Sequence, residues 1–173
     1  MASKLTFEEE LKEPLWMTQI VPDVWLGSEE AATDVKWLDH HKIFHILSIR
    51  EESFRPFVKA ATLPDRTYHR IWCSDKSSAD LAQHFETIIR FIDDHKPVLV
   101  NCRAGISRSA TAVAAYLIYK HRLKSANEAI EMICRTRIVS PNDGFERQLE
   151  HFAILQPYLY WNTRRSKRFR KRK

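Results

Sequence analysis

The stretch PVLVNCRAGISRSATAVAAYLIY, residues 97–119, restricts the possible folds of this chain more than any other segment. It opens with Val98, Leu99 and Val100, an apolar run between Pro97 and Asn101 that is too short for a helix and suits a buried strand. It closes with residues 107–119, where alanines alternate with Val113, Leu117 and Ile118 in a helix-forming pattern. Between the two lies C-R-A-G-I-S-R, residues 102–108, with Gly105, one of only three glycines in the chain, at its centre. A strand must therefore turn sharply into a helix, and the glycine lets the backbone curl where a Cβ would obstruct it.

Elsewhere, apolar and β-branched runs alternate with helical periodicity, and there is no internal repeat. Strands are expected over residues 19–26, 43–49, 67–72 and 98–101, and helices over 29–41, 78–95, 107–122, 125–137 and 143–155. Within the second helix, Leu81, Phe85, Ile88, Ile89 and Ile92 line one face and read as core. The last helix starts at Ser140 with Pro141 in its first turn, or one turn later with Asp143 and Glu146 in capping-box spacing; either start leaves 137–142 as a loop. The alternation predicts an α/β fold, a single domain with a central, mostly parallel twisted sheet flanked by helices. A chain of 173 residues, 44% of them hydrophobic, can bury one such core.

Three cysteines, Cys73, Cys102 and Cys134, without close pair spacing suggest neither a disulfide framework nor a zinc site. Cys134, among Ile130, Ile133 and Ile138, is expected to pack inside. The first residues lack an apolar signal core, and no apolar run is long enough to span a bilayer, so an intracellular protein, cytoplasmic or nuclear, is expected. The last ten residues, RRSKRFRKRK, contain eight Lys or Arg, and without them the formal charge of +6 turns negative. A basic, disordered tail over 158–173 is therefore expected, with nuclear import, nucleic acid or anionic lipid as its possible business. Residues 1–17 read as an N-terminal extension and 18–157 as the folded domain.

The loop over residues 102–108 has chemical content of its own. A helix N-terminus preceded by a curled loop presents several backbone N–H groups to one point and forms a cradle the size of a phosphate. Residues Arg103, Ala104, Gly105, Ile106 and Ser107 would supply that cradle. Arg108, in the first helical turn, offers a planar fork for two phosphate oxygens. Cys102, on its floor, would be a thiolate stabilised by the same donors and placed for in-line attack on phosphorus. Ser109 can donate to the sulfur when it leaves. The leaving oxygen needs a proton, and Asp75, just after a predicted strand, is the candidate acid, with Asp80 next in line. No metal or other cofactor is called for.

At this point a resemblance can be named. C-x5-R-S after a V-L-V strand resembles the signature of the cysteine-dependent protein phosphatases, and in particular a small, atypical dual-specificity phosphatase. The segment VWLGS, paired alanines and HILSI within residues 20–49 is similar to that family's opening, Asp75 matches its general-acid loop, and SPNDGFERQL, residues 140–149, resembles its closing motif. The resemblance implies hydrolysis of phosphotyrosine and of phosphoserine or phosphothreonine in phosphoproteins, MAP-kinase-type proteins among them. It also implies that Asn142 braces the phosphate loop.

One position departs from the pattern: Asn101 stands where the family carries histidine, and it can order the loop but can never be cationic. Two other readings therefore stay open. One is a phosphate-reading interaction module with little turnover, and the other is an RNA 5′-phosphatase. Cys73 is either a core residue or a disulfide partner for Cys102.

Overall fold

The computed structural model describes residues 16–53 and 63–170, with residues 157–170 described by their backbone alone. Its centre is a sheet of five strands: β1 (Met17–Val21), β2 (Val24–Gly27), β3 (His45–Arg50), β4 (Thr67–Trp72) and β5 (Val98–Asn101), in the order β1-β2-β5-β3-β4. Only β1 pairs antiparallel, with β2; β2, β5, β3 and β4 run parallel. The expected strand over 19–26 is thus a hairpin. It breaks at Pro22 and Asp23, where Asp23 takes a left-handed φ of 63° and the chain reverses. The strands over 67–72 and 98–101 have the expected bounds, and the one expected over 43–49 begins two residues later.

Side chains on the strands alternate between two cores, as a period of two demands. Val24, Leu26, Leu47, Ile49, Val98 and Val100 face a large core built with α2 (Phe85–Asp94), α3 (Arg108–His121), α4 (Ala126–Cys134) and α5 (Asp143–Arg170). Trp25, Ile46 and Leu99 face a smaller one, closed by Trp37 and Leu38 of α1 (Val35–His40). β5 is central and covered on both faces, so all four of its residues are buried, including the polar Asn101. This burial explains why it reads as a plain apolar run without alternation.

Four expected helices differ by more than one residue, and the one over 125–137 ends at Cys134. The one over 29–41 is a single 3-10 turn, Ala31–Thr33, followed by α1, because Asp34 accepts from the N–H of Trp37 and restarts the helix. The one over 78–95 becomes a 3-10 turn, Ala82–His84, and then α2, because Gln148 of α5 takes the N–H groups of Leu81 and Ala82 at 2.9 Å each. Leu81, Phe85, Ile88, Ile89 and Ile92 are all buried, as the stripe predicts.

The helix over 143–155 continues to Arg170, so the tail expected to be disordered from residue 158 is helical that far. Among residues 156–170 Pro157 is the one strong helix breaker, and Lys and Arg are good helix formers. Cys134 is exposed and does not pack as expected. The buried stripe of α4 is Ala126, Ala129 and Ile133, and Cys134 is one step around from it. Among the described residues no helix is long and apolar enough to cross a membrane.

Far from the loop, three histidines gather around one phenyl ring. Phe91 stacks on His69 at 5.2 Å and on His95 at 4.3 Å, and His95 lies 4.9 Å from His45. His45 and His69 are held below the ordinary histidine range, first by burial and then by the neighbouring histidines, His95 for both and His84 for His69. The fold therefore keeps them neutral where the unfolded chain takes up protons, and stability falls as pH drops through about 6.5. The melting temperature should decrease between about pH 7.5 and about pH 5.5, and His69→Phe, which keeps a ring on Phe91, should flatten that decrease. An unchanged slope in the variant would show that other groups carry the dependence.

Candidate active site

The loop between β5 and α3 is held by its carbonyls. Arg103 O accepts from the backbone N–H of Glu29 at 3.1 Å, Gly105 O from Arg137 Nε at 3.1 Å, and Ile106 O from the backbone N–H of Ser140 at 3.0 Å. Ser107 O accepts from both the N–H and the hydroxyl of Thr111. Among the described residues, no backbone carbonyl takes the N–H groups of residues 103–107. The oxygens of Arg103, Gly105, Ile106 and Ser107 are tied back into the protein, an arrangement in which the donors can face an anion.

Gly105 answers two demands at once. Its φ is +70°, and a Cβ there would lie 2.7 Å from the Gly27 backbone and 2.7 Å from the Arg137 guanidinium. No other residue type fits without moving the β2 end or that arginine.

Cys102 lies at the C-terminal end of β5, 2% exposed, and Ser109 Oγ donates to its sulfur at 3.1 Å. The preceding Asn101 is fully buried, and its Oδ1 accepts from Ser48 Oγ of β3 at 2.7 Å. Its Nδ2 makes no hydrogen bond among the described residues. The asparagine thus ties β5 to β3 directly beneath the loop.

Arg108, 4% exposed, turns toward the ends of β3 and β4. Its Nε lies 3.5 Å from Asp75 Oδ2, and its Nη1 lies 3.9 Å from Glu51 Oε1 and donates to Cys73 O at 3.4 Å. The guanidinium is therefore oriented from one side while the cradle opens on the other.

Asp75 is held by two further donors. Ser107 Oγ donates to its Oδ1 at 2.7 Å and Asn142 Nδ2 donates to the same oxygen at 2.9 Å, while the N–H of Asn142 donates to Ser107 Oγ at 3.3 Å. Asn142 Oδ1 meanwhile accepts from the N–H groups of Gly144 and Phe145, at 3.0 and 3.1 Å, and so caps α5. Neither Ser140 nor Asp143 is the cap; Asn142 is, because it alone reaches helix and loop together. Gly144 lets the acid loop approach, since a Cβ there would lie 1.9 Å from Ser77 O. Asp80 is occupied elsewhere, its Oδ1 accepting from the N–H of Gln83.

The structure therefore brings Cys102, Arg108, Ser109, Asp75, Ser107, Asn101 and Asn142 to one place. Four contributors were not found in the sequence. Ser48 and Arg137 lack any local signal there. Glu29 and Glu51 follow parallel strands at their C-terminal ends, where ligands gather in α/β folds, and that rule could have found them. Cys73 is a buried thiol whose pKa is pushed up to about 11, mainly by burial, so it is a poor nucleophile.

Comparison with known proteins gives a consistent result. Residues 24–154 match the family model described as dual specificity phosphatase, catalytic domain. The chain is 40% identical over 142 residues to dual specificity protein phosphatase 15 of Mus musculus, a match covering 79% of this chain and 57% of that protein. It is 35% identical over 152 residues to dual specificity protein phosphatase 22-B of Danio rerio, covering 84% of this chain and 79% of that protein. The chain thus spans little more than half of the mouse relative. Among solved structures, the human tyrosine phosphatase-like serine/threonine/tyrosine-interacting protein superposes with a TM-score of 0.76 at 30% identity, covering 84% of this chain and 99% of that one.

The double duty of Asn142 can be separated. Asn142→Ala loses the cap and the donor to Asp75, and should lower stability by about 1 kcal/mol in urea unfolding. Asn142→Asp keeps a good cap, so any stability it loses comes from the carboxylate set against Asp75, and turnover of a phosphoserine peptide should fall about ten-fold as that carboxyl is displaced. Equal turnover in Asn142→Asp and the parent would mean that the Asp75 contact has no bearing on catalysis.

Proposed function

The chain belongs to the dual specificity phosphatase family, and we propose that it hydrolyses phosphotyrosine and phosphoserine or phosphothreonine in proteins through a cysteinyl-phosphate intermediate. One observation carries the reading: a sulfur, a hydroxyl that donates to it, a guanidinium and a carboxyl meet around a single set of unclaimed backbone donors.

In the first step the Cys102 thiolate attacks phosphorus in line and the ester P–O bond breaks. Asp75, carrying a proton, gives it to the leaving oxygen. The cradle N–H groups and Arg108 stabilise the charge spread over the equatorial oxygens. Arg108 needs only to exchange carboxylate contacts at 3.5 and 3.9 Å for phosphate oxygens. In the second step water attacks the phosphocysteine, the Asp75 carboxylate takes its proton, and the thiolate departs with Ser109 Oγ donating to it. Inorganic phosphate leaves, and both side chains return to their starting state.

Hydrolysis is favoured over a module that only holds phosphate, because Ser109 and Asp75 would have no task in such a module. Asn101, hydrogen-bonded to Ser48, keeps the loop anchored in place of a histidine. The substrates we propose are phosphoproteins, MAP-kinase-type proteins among them, met in the cytoplasm or nucleus. The basic end of α5 would add contact with nucleic acid or anionic lipid, an attraction that weakens steeply with salt.

Cys102→Ser should abolish turnover of para-nitrophenyl phosphate while phosphate-site binding persists. Asp75→Asn should slow a phosphoserine peptide about a hundred-fold and the activated aryl ester far less, because a good phenolate leaving group hardly needs the proton. Substantial turnover by Cys102→Ser would overturn the phosphocysteine mechanism, and equal losses on both substrates in Asp75→Asn would point to another acid.

A further inference from the structure

The most exposed large apolar side chain among the described residues is Ile138, at 90%. A single exposed isoleucine is ordinary on a protein surface. This one is held outward at the mouth of the phosphate cradle by fixed neighbours. Before it, Arg137 donates to Gly105 O at 3.1 Å and to Thr18 Oγ1 of β1 at 3.3 Å. After it, Val139 is buried in the larger core and the N–H of Ser140 donates to Ile106 O at 3.0 Å. With residues 137, 139 and 140 all anchored, Ile138 has nowhere to turn but outward. Ile106, on the cradle itself, is exposed at 42%.

Sheet order gives the mouth two unlike sides. β3 and β4 lie on one side of β5, and the segments that follow them carry Glu51 and Asp75. β1 and β2 lie on the other side, and Arg137 reaches across to β1. One side of the cradle therefore carries the carboxylates that face Arg108, and the other carries the apolar ledge of Ile138 and Ile106.

We propose that this ledge, formed by Ile138 with Ile106, is a subsite for an apolar side chain next to the phosphorylated residue, so that the substrate is a polypeptide chain and not a nucleic acid or inositol phosphate. The inference rests on the phosphatase reading above and adds to it the sequence around the phosphate. A peptide offers an aliphatic neighbour that covers the ledge and removes its surface from water, which is favourable in proportion to the area covered. RNA and inositol phosphates have no such group to cover it. The ledge is continuous with the cradle, because the N–H of Ser140 ties the ledge segment to Ile106.

The test compares two phosphotyrosine peptides of equal length, one flanked on both sides by leucine and one by serine, with 5′-triphosphorylated RNA and para-nitrophenyl phosphate as further substrates. The leucine peptide should show about ten-fold higher kcat/KM than the serine peptide. Ile138→Ser should bring the two within about two-fold of each other and leave para-nitrophenyl phosphate turnover unchanged. Calorimetric titration of Cys102→Ser with both peptides should give the same order in Kd, with the preference lost in the Cys102→Ser, Ile138→Ser double variant.

Equal Kd values for the two peptides, or a preference that survives Ile138→Ser, would overturn the ledge, as would faster turnover of RNA than of either peptide. Absence of all turnover in the parent would overturn the phosphatase reading instead, and the Kd comparison would still decide the ledge.

Discussion

The site depends on where the carbonyls of residues 103–107 point. A curled loop has as many acceptors as donors, and it can hold an anion only if the acceptors are turned away from it. For residues 103, 105, 106 and 107 four groups do this, from three parts of the chain: the N–H of Glu29 after β2, the guanidinium of Arg137 and the N–H of Ser140 between α4 and α5, and Thr111 within α3. Each is a modest hydrogen bond, but together they give the donors one direction. The close approach of Gly105 to the Gly27 backbone follows from the same demand, since the loop must lie against the end of β2 for its carbonyls to be reached.

A second layer couples Asp75 to the loop over residues 103–107. Ser107 is part of the phosphate loop and also donates to Asp75, while Asn142 caps α5 and donates to the same carboxylate oxygen. Asp75 is thus positioned both by the loop between β5 and α3 and by the residue that caps α5. Gly144 allows the segment at Ser77 to sit against the start of α5. These bonds hold the Asp75 carboxyl in one position, which in the proposed reaction would reduce the reorganisation required.

Charge around Arg108 has the same economy. The guanidinium is buried and faces Asp75 and Glu51, so it does not sit unpaired in a low-dielectric site. Both carboxylates are more exposed than the arginine, and a phosphate can replace them on it without leaving them stranded. Asn101 contributes differently. Being neutral, it adds no charge beneath the sulfur, and its bond to Ser48 fixes the spacing of β5 and β3 where the loop departs.

What the sequence determined by itself was local. The strand, the glycine and the helix over residues 97–119 are decided by neighbours a few positions apart, as is the apolar stripe from Leu81 to Ile92, and in these places pattern and structure agree. Cys102, Arg108 and Ser109 lie within eight residues of one another, so their meeting could be read from spacing alone. Tertiary structure decided what depends on distant partners. Gln148 cuts short the helix expected over 78–95, and Asn142, and not Ser140 or Asp143, caps α5 because it meets both helix and Asp75. Arg137, Ser48 and Glu29 reach the loop from far along the chain, and no window of sequence holds both ends of such contacts. A hydrogen bond is decided by approach within about 3 Å, and only the packed sheet brings those groups that close.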